Sequence, residues 1–318
     1  MVAQPVAAPS PRPQTVLSDR AFSAVLGIAA LTVTGLVVLL GVTLARGAAP
    51  ALHHFGWRFL TGMNWDPVAL DFGALPFIFG TLATSILALL IAVPVGLGTA
   101  VFLAEIAPAW LAQPVSFLVE LLAAVPSVVY GMWCIFIGVP LLQKLETWVG
   151  NHPWGDFWLF EGPPVGIGLL AATLILAIMI LPFIASVARD AIRAVPRSVT
   201  EAGLAMGTTR WETLRGPVLR YARRGILGGV ILALGRALGE TMAVTMVIGN
   251  NPQITASLFR SAYTMSAVLA NEFAEANDDL HRGTLVGIAV VLLVLTVLVN
   301  GVARLMIWGS ARGEGGAR

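Results

Sequence analysis

The sequence predicts an all-α integral membrane protein with six membrane-spanning helices, and two observations support this prediction. Hydrophobic residues make up 57% of the 318 residues, charged residues make up only 11%, and the mean hydropathy is +0.85. Soluble domains carry about a quarter of charged residues, so a water-soluble protein is excluded. The second observation is a set of six apolar runs that each reach the roughly 20 residues needed to cross a bilayer.

The six apolar runs are separated by connections rich in polar residues. Each run is long enough to span, because a helix rises about 1.5 Å per residue and the hydrocarbon core is roughly 30 Å thick. The second run contains Pro94, where we expect the helix to break, since proline lacks a backbone donor. The predicted spans are Phe22 to Ala45, Leu75 to Leu103, Phe117 to Leu142, Val165 to Ala188, Gly225 to Gly249, and Leu285 to Ile307.

These spans form one predicted transmembrane domain, residues 22–308, with a cytoplasmic loop at 189–224. Residues 1–21 carry four prolines among small residues and predict a disordered tail, and residues 309–318 form a second tail. Lys and Arg near span ends are retained in the cytoplasm. The tails, the end of the last span and the loop hold 13 of the 19 basic residues. The protein is therefore predicted to be a multi-pass protein of the bacterial inner membrane with both termini cytoplasmic.

Several function classes find no support in the residues. The basic residues flank apolar spans, so membrane orientation explains them better than nucleic-acid binding. The only cysteine is Cys134, and the four histidines lie in connections without metal-ligand spacing, where we expect them at the surface. No span contains a histidine or a pair of acids at catalytic spacing, which argues against an intramembrane enzyme. We expect no metal and no cofactor on this chain.

The loop 189–224 contains the sequence signals of a helix, a glycine turn and a second helix. Ser198 is predicted to cap the first helix, with Glu201 three residues later. Gly207 is predicted to end that helix in a left-handed conformation. The second helix is predicted to begin near Thr209. Apolar residues would give this elbow an apolar side.

This elbow resembles the EAA loop of ABC importer permeases. The resemblance rests on Glu201-Ala202-Gly203, followed by Gly207 and then by Trp211-Glu212. It implies a type I importer fold of the MetI-like kind, and it implies that these residues couple the permease to a separate ATPase. Gly203 replaces the second alanine of the pattern, which is a mild change. The usual closing proline position holds Arg220, which leaves the end of the second helix open.

Three further stretches resemble the PstC-type phosphate permeases of that family. The resemblance extends over nearly the whole chain from Phe22, and it implies a permease subunit for the import of inorganic phosphate. It also implies a PstA-type second permease, two PstB-type ATPase subunits and an external PstS-type phosphate-binding protein as partners. The chain itself has no G-x-x-x-x-G-K-[ST] loop, so ATP and Mg²⁺ are expected on the ATPase. The three stretches are Gly62 to Pro67, Glu120 to Gly131, and Gly235 to Val244.

Arg236 and Glu240 are charged residues inside the predicted fifth span. A charge near the bilayer centre costs roughly 2.5 to 3.5 kcal/mol on insertion scales, so both need compensation. Four residues apart on a helix, they share a face and are expected to pair. A purely architectural ion pair would satisfy this pattern without a substrate. In the functional interpretation Arg236 lines the substrate pathway, its planar fork binds two oxyanion oxygens, and Glu240 holds the guanidinium when no anion is present.

The resemblance favours the functional interpretation, because phosphate permeases hold Arg and Glu at the positions that match Arg236 and Glu240. Physical chemistry alone leaves the substrate open, since an Arg fork suits phosphate, sulfate or molybdate equally. An ion-gradient-driven secondary transporter is the other alternative. It would be favoured by inverted repeats, which the two halves of the sequence do not show, and it gives the elbow no role.

Overall fold

A computed structural model describes residues 16–153, 155 and 157–312. Most of the predicted disordered tail, and the last six residues of the second tail, lie outside this described part. The chain begins with the long helix α1, Val16–Phe55, so the first helix starts before the predicted Phe22. A short helix α2, Arg58–Thr61, follows. The two-residue strands β1 (Trp65–Asp66) and β2 (Asp71–Phe72) then pair antiparallel.

The rest of the described chain is mainly helical, with its longest non-helical connections at 157–168 and 246–264 and shorter ones between other helices. Three five-residue π-helical turns are continuous with the helices beside them: Phe102–Ile106 after α3, Cys134–Gly138 between α5 and α6, and Leu214–Val218 between α9 and α10. The helices are α3 (Leu75–Val101), α4 (Ala109–Ala124), α5 (Ser127–Trp133), α6 (Val139–Gly150), α7 (Leu169–Arg193), α8 (Arg197–Ala205), α9 (Arg210–Thr213), α10 (Leu219–Gly239), α11 (Met242–Thr245), α12 (Met265–Glu272) and α13 (Asp279–Arg312).

Five helical segments of the described chain are long and apolar enough to cross a membrane. They correspond to the predicted first, second, third, fourth and sixth spans, with shifted bounds. The helix of the predicted fifth span is not in this set, and the shorter helix α4 is apolar as well. The five segments are Ala21–Phe55, Leu75–Ile106, Ser127–Gly150, Leu169–Arg193 and Asp279–Leu305.

The predicted second and third spans differ from the structure in opposite ways. The predicted third span, Phe117 to Leu142, is not one helix, because α4 ends at Ala124 and the backbone is extended at Val125 and Pro126. A residue before proline is disfavoured in the helical conformation, which explains the break. Helix α3, by contrast, continues through Pro94 without the expected break. Proline is tolerated inside a membrane helix when neighbouring helices support it.

Helix α7 forms the centre of the bundle. In the most apolar 18-residue stretch of α7, 61% is buried within the chain, whereas 0% of the corresponding stretch of α1 is buried. Helices α3, α4 and α10 pack around α7. Two glycines permit this close packing: a Cβ added at Gly96 of α3 or at Gly229 of α10 would lie 3.0 Å from α7 side chains. Side chains from α7 and α10 therefore meet inside the bundle.

Candidate translocation site and coupling elbow

Helix α10 ends inside the predicted fifth span. It ends at Gly239 because the backbone of Glu240 is extended, with φ −68° and ψ 127°, and the short helix α11 follows. The predicted continuous span from Gly225 to Gly249 is therefore wrong. The part of α10 inside the predicted span, from Gly225 to Gly239, covers about 22 Å at about 1.5 Å per residue, which is less than the roughly 30 Å of the hydrocarbon core.

Two hydrogen bonds hold Glu240 at the break, and a third joins the neighbouring helix α12 to α3. The carboxylate of Glu240, a residue only 8% exposed, accepts a hydrogen bond from the backbone N–H of Ala243 at 3.3 Å. The hydroxyl of Ser266 donates to the carbonyl oxygen of Glu240 at 2.6 Å. The neighbouring Met265 N–H donates to the hydroxyl of Thr81 on α3 at 2.9 Å. These bonds tie the broken segment to α11, α12 and α3.

The guanidinium of Arg236 packs against an aromatic ring. Arg236 lies in the last turn of α10, and its Cζ lies 4.5 Å from the ring centroid of Phe183 on α7. Its Nε is buried and has no hydrogen-bond partner in the part of the chain that the structure describes. The described side chains include no ion pair within 4 Å between Arg236 and Glu240. The expected pairing is wrong because the helix ends before Glu240, so helical spacing no longer applies.

The charge of Arg236 is stabilised without a carboxylate. The C-terminal end of a helix carries a partial negative charge that favours cations in its last turn. An aromatic face attracts a guanidinium through its quadrupole. Neither interaction uses the in-plane N–H donors, which match the geometry of an oxyanion. Breaks in membrane helices are tolerated where the backbone is buried in protein or lines a cavity, and transporters use such breaks at substrate sites.

The loop 189–224 folds into the predicted elbow, with one correction. Helices α8 and α9 meet at Gly207, whose φ of +81° confirms the left-handed turn. Ser198 does not cap α8, because α8 begins one residue earlier, after Pro196, and has no side-chain cap. Helix α9 instead has a capping box, in which Thr209 and Glu212 bond to each other's backbone N–H. The hydrogen bonds from the Thr209 backbone and hydroxyl hold the pKa of Glu212 below its usual range.

Gly203 is required by packing within the elbow. A Cβ at this position would lie 2.8 Å from Cγ2 of Thr213, closer than real Cβ atoms approach. Thr213 is only 1% exposed, and its hydroxyl lies 2.7 Å from the hydroxyl of Thr208. The replacement of the alanine of the resembled pattern is therefore not a mild change in this chain, because α8 and α9 approach each other here.

The outer face of the elbow exposes apolar side chains. Met206 is 84% exposed, Trp211 is 61% exposed and Leu204 is 43% exposed. Glu201 and Ala202 of the resembled motif are exposed on α8 as well. Exposed apolar patches mark interaction sites, so this surface can bind another protein.

The second helix of the elbow continues into the predicted fifth span. Helix α9, the π turn Leu214–Val218 and helix α10 follow one another with helical backbone at each junction. The open question of where the second helix ends is thereby answered: it does not end near Arg220. Trp211 and Arg236 are 25 residues apart on this path, which is about 37 Å at 1.5 Å per residue.

Sequence reasoning missed several contacts at the site and around it. Phe183 gave no signal, because an aromatic residue in an apolar span is ordinary. Arg189 is buried and bonds Glu120 of α4 at 2.9 Å, a tie between helices that requires the fold to be known. His281 is 8% exposed and lies 3.4 Å from Glu272, so its expected surface position is wrong. The antiparallel pair β1–β2 explains this burial, since Phe72 of β2 stacks on the His281 ring.

Comparisons with known proteins agree with this architecture. Residues 92–307 match the family described as binding-protein-dependent transport system inner membrane component. The "Phosphate transport system permease protein PstC" of Mesorhizobium japonicum is 48% identical, over 92% of this chain and 90% of the relative. The protein of the same name from Pasteurella multocida is 45% identical, over 86% of each chain. The chain belongs to this family of transport permeases, among the PstC-type members.

Solved structures of ABC importers are similar to this PstC-type permease in fold. A chain of the MetNI methionine ABC transporter, in an inward-facing conformation, has a TM-score of 0.52 and 21% identity, over 80% of this chain and 96% of that one. A chain of a bacterial importer of the polysaccharide alginate has a TM-score of 0.57 and 18% identity, over 90% and 96%. The MetI-like importer fold is confirmed. Its family and its apolar helices make the chain a multi-pass inner-membrane protein.

Proposed function

We propose that this chain forms half of the translocation pathway of an ABC importer for inorganic phosphate. The observation that supports this most is Arg236, a guanidinium inside an apolar bundle whose in-plane donors face no carboxylate among the described residues. Such a fork fits two oxygens of a phosphate ion. The relatives named above carry phosphate transport in their names, which favours phosphate over sulfate or molybdate.

In the proposed mechanism Arg236 stabilises the anion briefly as it passes the break in α10. Affinity at this point is low, because a permease that bound phosphate tightly could not release it. Glu240 holds the break open through its bond to Ala243, and its negative charge opposes long residence of the anion. Selection for phosphate then belongs to the external binding protein.

The elbow couples this pathway to ATP hydrolysis on a separate subunit. Its exposed apolar residues and the motif Glu201-Ala202-Gly203 contact the ATPase, while Gly207 and the Thr209–Glu212 box fix its shape. The complete importer contains a PstA-type permease, two PstB-type ATPase subunits that bind ATP and Mg²⁺, and a PstS-type binding protein. In this proposal both termini and the elbow lie in the cytoplasm, in agreement with the 13 basic residues on that side.

Phosphate uptake by the reconstituted importer tests the pathway role of Arg236. We expect Arg236→Gln to abolish uptake while the subunits still assemble, because the variant keeps the size of the side chain and removes the positive charge. A variant at the exposed Phe136, such as Phe136→Leu, should transport normally. Excess sulfate should not compete. Normal uptake by Arg236→Gln would contradict the proposed function.

A further inference from the structure

Phe183 is the residue that receives the guanidinium of Arg236, and its role rests on the proposed function. The two side chains come from different helices, α7 and α10, and Cζ of Arg236 lies 4.5 Å from the ring centroid. This separation is within the roughly 6 Å range of cation–π attraction. Phe183 is half-buried and follows the buried Pro182, so its backbone lies in the most enclosed helix of the bundle.

The face-on contact has a different consequence from an ion pair. A carboxylate would bond to the in-plane N–H groups of the guanidinium and occupy the donors that an oxyanion needs. An aromatic ring has no oxygen or nitrogen acceptor, so it stabilises the charge without occupying these donors as a carboxylate would. The unsatisfied Nε of Arg236 agrees with this geometry, since its buried N–H has no acceptor in the described chain.

The alternative partner of Arg236 is held elsewhere. The carboxylate of Glu240 bonds to Ala243, and the carbonyl oxygen of Glu240 accepts from Ser266. These bonds hold the residue after the break, and no ion pair within 4 Å joins Glu240 to Arg236 among the described side chains. Without Phe183, the guanidinium would lose the contact that fixes its position and would be free to turn towards another acceptor.

We propose that Phe183 is a positioning residue for anion passage: its ring holds Arg236 by a cation–π contact, so that the guanidinium presents unoccupied donors to the substrate. Phe183 itself does not touch the anion. Its contribution comes from the electrostatics of the ring face and not only from its volume, which distinguishes it from an ordinary packing residue.

Fluorinated phenylalanines at position 183 test this proposal, because added fluorine weakens the ring quadrupole with little change in shape. The complete importer is reconstituted in vesicles with one, two or three ring fluorines at this position. We expect the maximal rate of phosphate uptake to fall stepwise, by about ten-fold at three fluorines, which lies between the effects expected for an exposed and for a desolvated cation–π contact. The concentration of loaded binding protein that gives half-maximal uptake should not change, since that protein docks at the outer face.

Two controls decide between the possible outcomes. The same fluorinated residues at Phe136, which is 69% exposed, should leave uptake unchanged. Phe183→Trp should retain uptake, whereas Phe183→Leu should lose about as much as the trifluoro variant. A flat fluorination series at position 183, or an equal fall at Phe136, would overturn the inference. The Arg236→Gln variant in the same assay separates the two proposals. If it abolishes uptake while the fluorination series is flat, the inference about Phe183 fails and the proposed function stands. If Arg236→Gln transports normally, the proposed function itself is contradicted.

Discussion

The exchange Gly203→Ala restores the alanine of the EAA pattern, yet the structure predicts that it damages the elbow. The added Cβ would lie 2.8 Å from Cγ2 and 3.1 Å from Oγ1 of Thr213. Thr213 cannot turn away without breaking the 2.7 Å contact with the Thr208 hydroxyl. Overpacking of this kind costs about 1 to 3 kcal/mol. If Thr213 turns away to relieve the clash, the loss of its hydrogen bond to Thr208 would cost about 0.5 to 1.5 kcal/mol in place of the overpacking.

The binding of the ATPase subunit measures this effect, since the strained elbow must adopt its docking shape before it binds. Each 1.4 kcal/mol is about ten-fold in affinity, so we expect Gly203→Ala to weaken binding by roughly ten-fold. The matched control is Gly216→Ala on the same elbow, where an added Cβ meets nothing within 4 Å. That variant should bind normally.

A second-site change makes the test specific. Thr213→Ser removes Cγ2, the atom nearest to the added methyl group, and keeps the hydroxyl. Gly203→Ala in the Thr213→Ser background should therefore recover most of the lost affinity. If Gly203→Ala bound the ATPase as tightly as Gly216→Ala, or if Thr213→Ser gave no relief, the argument from close packing would be refuted.

Two further predictions concern titrating groups outside the membrane. Thr209→Ala should weaken ATPase binding at neutral pH, because it removes the hydroxyl that donates to the Glu212 carboxylate and accepts from the Glu212 N–H. The pKa of Glu212 is lowered, so the carboxylate half of the cap is present above the ordinary carboxyl pKa and is lost as pH falls through the lowered one. The difference from the unchanged chain should therefore shrink in acid, and a difference independent of pH would contradict the role of the carboxylate. Burial raises the pKa of Tyr263 to about 12, above the ordinary value of about 10, so the folded state holds this proton more tightly and stability should fall as pH rises from 10 to 12. The unfolding temperature of Tyr263→Phe should then drop less between pH 8 and pH 11 than that of the unchanged protein, and equal drops would show that Tyr263 does not cause the alkaline loss.

Much of the fold could be predicted because the lipid environment determines which segments must be helical. Long apolar runs must be helical in lipid, since every backbone polar group needs an internal partner. The positions of the helix ends depend instead on whether the surrounding helices support the backbone around each proline. Helix α4 ends before Pro126, where the backbone is extended. Helix α3 continues through Pro94, because α3 packs tightly on α7 around that residue. Sequence alone does not distinguish these two environments.

The site was predictable in its residues and not in its contacts. Arg236 and Glu240 stood out because charge is costly in lipid, a property of each residue by itself. Their mutual geometry required an unbroken helix, and the break at Glu240 depends on Ser266, 26 residues further along the chain. Phe183 required the register of α7 against α10, which no local pattern encodes.

The contact between Phe183 and Arg236 lies where motion from the elbow would arrive. Under the proposed coupling, the ATPase displaces Trp211, and the displacement is transmitted through α9 and α10. The π turn Leu214–Val218 interrupts the regular α-helix between these two helices. Beyond that turn α10 lies closely against α7, since a Cβ at Gly229 would be 3.0 Å from Val187. A shift of α10 relative to α7 therefore moves the guanidinium across the ring of Phe183. Because cation–π attraction depends on the cation lying over the ring face, such a shift changes how firmly Arg236 is held. The same ring that presents the donors to the anion thus makes their position sensitive to the state of the elbow.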